Sequence, residues 1–153
     1  MVLQIGDKAP SFSLKNTNGK LRTLKEFSGK WLVIYFYPKD DTSGCTKQAC
    51  SIRDKYSKLE NAEITILGVS PDSVESHQKF TKKYTLPFEL LVDEDHKLAE
   101  AYGVWVKKKM YGREYMGIKR TTFIVDKNEM IFQIIADVNV DDHATQILDA
   151  IKK

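Results

Sequence analysis

Apolar and polar positions alternate in a changing rhythm along the chain, and each rhythm predicts an element. Between Gly6 and Leu24, Phe12 and Leu14 alternate with polar residues, Asn18-Gly19 supplies a tight turn and Leu21 resumes the pattern, which predicts an N-terminal β-hairpin. Leu24 to Phe27 reads as a brief helical turn closed by Ser28-Gly29. Trp31 to Tyr37 is then an unbroken apolar run rich in β-branched and aromatic residues, the length of a strand buried on both faces. Pro38 ends it. Asp40, Asp41, Thr42, Ser43 and Gly44 are turn and N-cap residues, and Cys45 opens a segment with apolar residues at Cys45, Ala49, Ile52, Tyr56 and Leu59, the spacing of one helical face. Cys45 therefore falls in the first turn of a helix that follows a central strand.

The same alternation continues. Ile64 to Val69 is a second buried strand, Ser70-Pro71-Asp72 a stop, and Val74, His77, Phe80, Thr81 and Tyr84 mark a helix face. Phe88 to Val92 reads as a third strand and Asp93 to Tyr102 as a short helix with Leu98, Ala99, Ala101 and Tyr102 inward. Val104 to Ile118 is irregular, punctuated by Gly112 and Gly117, and reads either as a hairpin or as a loop near the active site. Thr121 to Val125 and Met130 to Ile135 form an antiparallel hairpin, and Asp141 or Asp142 starts a last helix with Ala144, Ile147, Leu148 and Ile151 inward. The order βαβαβ implies an α/β fold: a central mixed sheet flanked by helices on both faces. With 153 residues, 42% of them hydrophobic, the chain matches one domain over 1–153 that buries roughly 70% of its unfolded surface.

Charge narrows the function classes. Lys and Arg number 24 against 21 acidic residues, a net charge of +3, and the lysines are scattered apart from Lys107, Lys108 and Lys109. A nucleic-acid surface needs a concentrated basic face, so this class is set aside. No apolar run approaches the ~20 residues that cross a bilayer, and the start lacks the regions of a signal peptide, so a cytoplasmic protein without a membrane is expected. In a reducing compartment two cysteines are poor structural staples, and catalytic or redox use gains weight.

Cys45 has the stronger chemical claim. The free N–H groups of a helix start favour an anion, and cysteines in such settings ionise more readily than the ordinary thiol; the thiolate is the nucleophile. Cys50 lies five residues on, which on a continuous helix means a rise of about 7.5 Å and a rotation about 140° past a full turn. A disulfide requires Cα atoms within ~7 Å and facing Cβ atoms, so this pair closes only when the first turns unwind. The spacing predicts a two-state switch if both thiols react; as a small buried hydrophobe Cys50 has no redox part. His77, His96 and His143 are far apart with no metal-ligand spacing, and read as surface or satisfied, partly buried residues; no metal or cofactor is implied. Trp105, Tyr111 and Tyr115 either line a pocket or a docking face, or simply pack.

Pro38, Thr42 and Cys45 match the P-x-x-x-T-x-x-C motif of peroxiredoxins, and YFYPKDDTSGCTKQAC resembles the bacterioferritin-comigratory protein or PrxQ branch, in which a second cysteine follows five residues later. GDKAPSFSL, FSGKWLVIYFYP, LGVSPDS, LVDEDHKLAEAYGVW, MYGREYMGIKRTTFIVD and the final helix fall where that branch has them. Ser43 departs from it, standing where relatives often carry proline. The resemblance implies a thioredoxin-like fold with an N-terminal β-hairpin extension, Cys45 as peroxidatic cysteine, Cys50 as resolving cysteine, and Arg120 in KRTTFIVD as the active-site cation. Arg120, the Thr42 hydroxyl and the backbone N–H groups at Gly44 and Cys45 would stabilise the charge that develops on a cleaved peroxide, with Pro38 shaping the pocket. It further implies a sulfenic acid at Cys45, an intramolecular disulfide with Cys50, recycling by thioredoxin or a similar dithiol, and a monomer. Two other readings use the same thiols: a redox-sensing thioredoxin-like module without multiple turnover, and a metal-binding module, which lacks further ligands at suitable spacing.

Overall fold

In the computed structural model, which describes residues 3–152, strands β1 (Ser13–Lys15) and β2 (Leu21–Thr23) pair antiparallel as the expected hairpin, and a 3-10 turn follows at Leu24–Phe27. Beyond it come β3 (Trp31–Phe36), α1 (Ser43–Asp54), α2 (Tyr56–Asn61), β4 (Ile64–Ser70), α3 (Val74–Tyr84), β5 (Glu89–Val92) and α4 (Lys97–Ala101). The chain closes with β6 (Trp105–Met110), β7 (Arg113–Ile118), β8 (Thr121–Val125), β9 (Ile131–Ile135) and α5 (His143–Ile151).

Five strands form the central sheet in the order β5-β4-β3-β8-β9. β3 runs parallel to β4, and β4 to β5, whereas β8 and β9 are antiparallel, so the sheet is mixed. β3 lies in the middle, and its period-2 alternation serves two cores. Leu32, Ile34 and Phe36 pack on one face with Leu24, Phe123 and the α4 residues Leu98 and Ala99. Val33, Tyr35 and Tyr37 pack on the other with Ala49 and Ile52 of α1, Leu59 of α2, Phe80 of α3 and Ile147 of α5. Gly68 makes room for one of these side chains, since a Cβ there would meet the Tyr35 ring at 2.8 Å.

Three sequence expectations change, and one open alternative closes. The segment after Cys45 is two helices: Lys55 leaves helical geometry at φ −117° and ψ 19°, and its ammonium reaches across to α5, donating to both carboxylate oxygens of Asp142 at 2.9 and 3.0 Å and to the Thr145 hydroxyl at 2.7 Å. α4 is shorter than Asp93 to Tyr102, because the Asp93 carboxylate accepts from the N–H groups of Leu98 and Ala99 and so fixes the helix start, and Ala101 faces out. Val104 to Ile118 is a hairpin: β6 and β7 pair from Trp105↔Ile118 to Met110↔Arg113 around Tyr111 and Gly112, both with positive φ. His77 and His143 are fully buried instead of partly so. Among the described residues no helix is long and apolar enough to cross a membrane.

Candidate active site

The β3 strand ends at the point where Cys45 is delivered. Tyr37 still donates its backbone N–H to the Val69 carbonyl, Pro38 breaks the ladder, and Thr42 enters α1 in extended geometry as N-cap. Ser43, Gly44 and Cys45 make the first helical turn, whose N–H groups have no intrahelical partners. Cys45 is 2% exposed and Cys50 is half-buried; both are free thiols on one uninterrupted helix.

Arg120 reaches the same point from the sheet. Antiparallel pairing of Phe36 with Thr121 sets the residue before β8 beside the carboxyl end of β3. From there Nη2 of Arg120 donates to Cys45 Sγ at 3.2 Å, while Nη1 donates to Gln48 Oε1. The guanidinium lies across Gly44, where a Cβ would stand 3.2 Å from Nη2, so any side chain at that position would crowd the cation. Gln48 is fully buried one helical turn beyond Cys45, and its carbonyl oxygen accepts from one nitrogen of the guanidinium while the other nitrogen meets the sulfur.

The structure thus brings Cys45, Arg120 and Gly44 into contact, with Thr42 and Pro38 at the rim. The Thr42 hydroxyl gives its proton to the Lys39 carbonyl at 2.9 Å, so toward a substrate it is left as an acceptor. Cys50 stands apart from the guanidinium, and burial pushes its thiol pKa up, partly offset by Arg53. Gln48 was not foreseen from the sequence, although its place one turn after Cys45 on a predicted helix was a usable signal. Lys108 was seen only as part of a basic run. On β6 its stem crosses Gly117, and its ammonium pKa is lowered by burial and then by the charge of Arg120, so a second cation faces the site. Tyr111 and Tyr115 project outward, at 99% and 44% exposure, and Trp105 stacks on His96 at 3.8 Å. A concavity of about 620 Å³ lined by Ala9, Pro10, Phe12 and Thr23 includes none of the site residues.

The remaining histidines are structural neighbours of the site. His143 Nδ1–H donates to Gln146 Oε1 at 2.9 Å; that oxygen also accepts from the Asn139 N–H, and Gln146 Nε2 donates to the Asp137 carbonyl, which fixes the amide orientation. Nε2 therefore accepts from the Thr122 hydroxyl at 2.8 Å. Burial lowers the His143 pKa to about 4, and Arg120 adds to the effect. Asp40, Asp72 and His77 bring ligand atoms within 4.8 Å of one another, but both ring nitrogens of His77 are engaged, one by Asp40 and one by the Leu91 carbonyl. That cluster is a hydrogen-bond network, with no ring lone pair left for a metal ion.

A buried sulfur at a helix start, bonded to a guanidinium, can attack an electrophile and have the resulting charge stabilised in place. Comparison with known proteins fits this arrangement. Residues 5–134 match the model of the AhpC/TSA family. Peroxiredoxin Bcp of Bacillus subtilis is 48% identical over 152 residues, covering 99% of this chain and 97% of the relative. The Xanthomonas campestris bacterioferritin comigratory protein, whose structures concern alkyl peroxide reduction, superposes with a TM-score of 0.87 at 39% identity, over 92% of this chain and 90% of that one. A cysteine-to-serine mutant of Xylella fastidiosa PrxQ gives 0.92 at 33% identity, over 99% and 97%. The fold is accordingly thioredoxin-like, with the β1–β2 hairpin as its N-terminal extension.

Proposed function

The chain belongs to the AhpC/TSA family, and from that premise we propose that it is a thiol-dependent peroxidase acting on hydrogen peroxide and organic hydroperoxides through Cys45. The observation that carries this reading is the 3.2 Å contact between Arg120 Nη2 and Cys45 Sγ at the start of α1.

The steps follow from charge and geometry. The Cys45 thiolate attacks one peroxide oxygen in line with the O–O bond; an S–O bond forms, the O–O bond breaks, and the departing oxygen leaves with the electron pair and takes up a proton. Arg120 and the first-turn N–H groups at Gly44 and Cys45 face the oxygens as negative charge shifts from sulfur to the leaving group. Thr42 accepts the peroxide O–H and so orients the molecule, and Pro38 walls the approach. Cys45 is then a sulfenic acid. The Cys50 sulfur attacks it, an S–S bond forms and water leaves, a step that needs the first turns of α1 to open because the two thiols lie about 7.5 Å apart along the axis and on different sides of it. A dithiol such as thioredoxin restores both thiols by exchange.

The test is a thiol count and intact mass after one equivalent of hydrogen peroxide, on wild type and Cys45→Ser, followed by thioredoxin, its reductase and NADPH. Loss of both thiols and of two hydrogens in wild type alone, reversed by thioredoxin, is expected. Oxidation of the single remaining thiol of Cys45→Ser at the wild-type rate would overturn the assignment of the nucleophile, and oxidation without multiple turnover would make the chain a redox sensor.

A further inference from the structure

The rim of the site is held independently of the helix that carries the thiols. Asp40 and Asp41 lie between Pro38 and Thr42, and Asp40 is nearly fully buried. Its Oδ2 accepts from the Ser76 hydroxyl at 2.8 Å and lies 2.7 Å from His77 Nδ1, both on α3, while Oδ1 accepts from the Tyr37 hydroxyl. Its backbone N–H donates to Asp72 Oδ2 at 2.7 Å, an oxygen that also accepts from the Ser70 hydroxyl at the end of β4. Asp41 has a left-handed backbone, φ 58°, which Asp tolerates better than most residues. Its carboxylate oxygens take Lys83 Nζ and the Tyr84 hydroxyl, both at 2.8 Å and again on α3. None of these side-chain partners belongs to α1.

His77 Nε2 lies 2.8 Å from the Leu91 carbonyl of β5, and a carbonyl only accepts, so Nε2 carries a hydrogen. The contact between Nδ1 and Oδ2 needs a second proton, whichever of the two atoms holds it. With side-chain exposures of 0% and 3%, the pair is a buried, proton-bearing clamp, and removing one partner leaves the other unsatisfied out of water. A backbone in a sparsely populated conformation, fixed by this many contacts next to a reactive group, is the arrangement expected where shape serves chemistry.

We propose that Asp40 and His77 are positioning residues: they hold Pro38–Thr42 in its substrate-ready shape while the first turns of α1 unwind and rewind. This rests on the peroxidase reading above. Among the described residues, only the Thr46 N–H to Thr42 carbonyl bond, at 2.8 Å, ties the rim to the helix through the backbone, and unwinding breaks it without touching the clamp. The rim then stays ready for the returning sulfur.

The test separates the two chemical steps. In Asp40→Ala, at a temperature where circular dichroism shows the folded protein, the rate constant for sulfenate formation is expected to fall by about tenfold or more, the scale on which small misplacements act, with the later disulfide-forming step changed much less. Asp40→Asn can offer an amide N–H to a neutral His77 Nδ1 and an oxygen to Tyr37, and is expected to recover most of the loss. Hydrogen exchange gives a readout free of turnover: in the disulfide form the Asp40 amide stays protected while the Gln48 amide exchanges freely. A wild-type rate of first oxidation in folded Asp40→Ala, equal slowing of both steps, failure of Asp40→Asn to recover, or an Asp40 amide as labile as that of Gln48 would each overturn the proposal. If wild type forms no sulfenate while its Asp40 amide remains protected, the peroxidase reading fails and the positioning role fails with it; the exchange data show that the clamp itself is intact.

Discussion

The front and rear of α1 are held in different ways. The front carries Cys45, Gln48 and Ala49; its buried side chains apart from Gln48 are small, and its polar contacts to the rest of the protein converge on the Arg120 guanidinium, apart from an exposed 4.0 Å approach of Lys47 to Asp141. The rear buries Ile52 and is fastened at several points. The Ser51 hydroxyl donates to the Gln48 carbonyl and accepts the His143 N–H, Arg53 donates to the Tyr84 carbonyl, and Lys55 binds Asp142 and Thr145. Opening the front exposes little apolar surface and releases one cation, whereas opening the rear would uncover an isoleucine and several ties. A helix need not be weak throughout to unwind locally; its anchors need only be unevenly placed.

Removing the cation tests the front most severely. Arg120→Ala is expected to slow sulfenate formation about 10²–10³-fold, the cost of losing one preformed donor at developing charge, with the helix content unchanged; an unaffected rate in rapid-mixing fluorescence would mean that another cation serves. Gln48→Ala should cost about tenfold by freeing the guanidinium, and Gln48→Glu, which keeps an acceptor facing it, should restore most of that. Equal losses in both Gln48 variants would show that the residue acts by packing alone.

The rear shows itself in stability rather than in rate. His143 is held neutral, with its pKa lowered from 6.5 to about 4, so between those values the unfolded chain binds a proton that the folded chain does not. Stability is fully present above 6.5 and declines as pH falls toward 4. The urea midpoint should drop across that window, and less so in His143→Gln; parallel curves for the two proteins would refute the assignment. The smallest effect is expected from Ser51→Ala, about 1 kcal/mol of unfolding free energy with an unchanged rate of first oxidation. A slowed first oxidation in that variant would erase the distinction between front and rear.

What the sequence disclosed follows the range of each interaction. Pro38, Thr42 and Cys45 lie within eight residues, and a strand end followed by a helix start shows in the hydropathy pattern, so the thiol at the start of α1 could be located from the chain alone. Arg120 was reached only through resemblance, because its place beside Cys45 depends on the pairing of Phe36 with Thr121, a register that no local pattern states. The break at Lys55 was hidden for a related reason: no Gly or Pro marks it, and the side chain's partners lie on α5. The β6–β7 hairpin escaped a firm reading because its turn is Tyr111-Gly112 instead of Asn-Gly, and its strands run Lys107-Lys108-Lys109 and Arg113-Glu114-Tyr115-Met116 without alternation of apolar and polar residues. His77 looked like one position on an amphipathic face; its partner, Asp40, is 37 residues away in the loop.

The contact from Arg120 to Cys45 is made with a free sulfur on a wound helix, and in the proposed cycle it would be lost on oxidation, because a cysteine in a disulfide carries no negative charge for the guanidinium to meet. The cation therefore stabilises the dithiol form over the disulfide form, and any such preference raises the reduction potential of the couple. On that proposal, the arginine that readies the sulfur for oxidation would also make its disulfide easier to reduce, and the thermodynamic drive for recycling would be set on the sheet, 75 residues from the thiol.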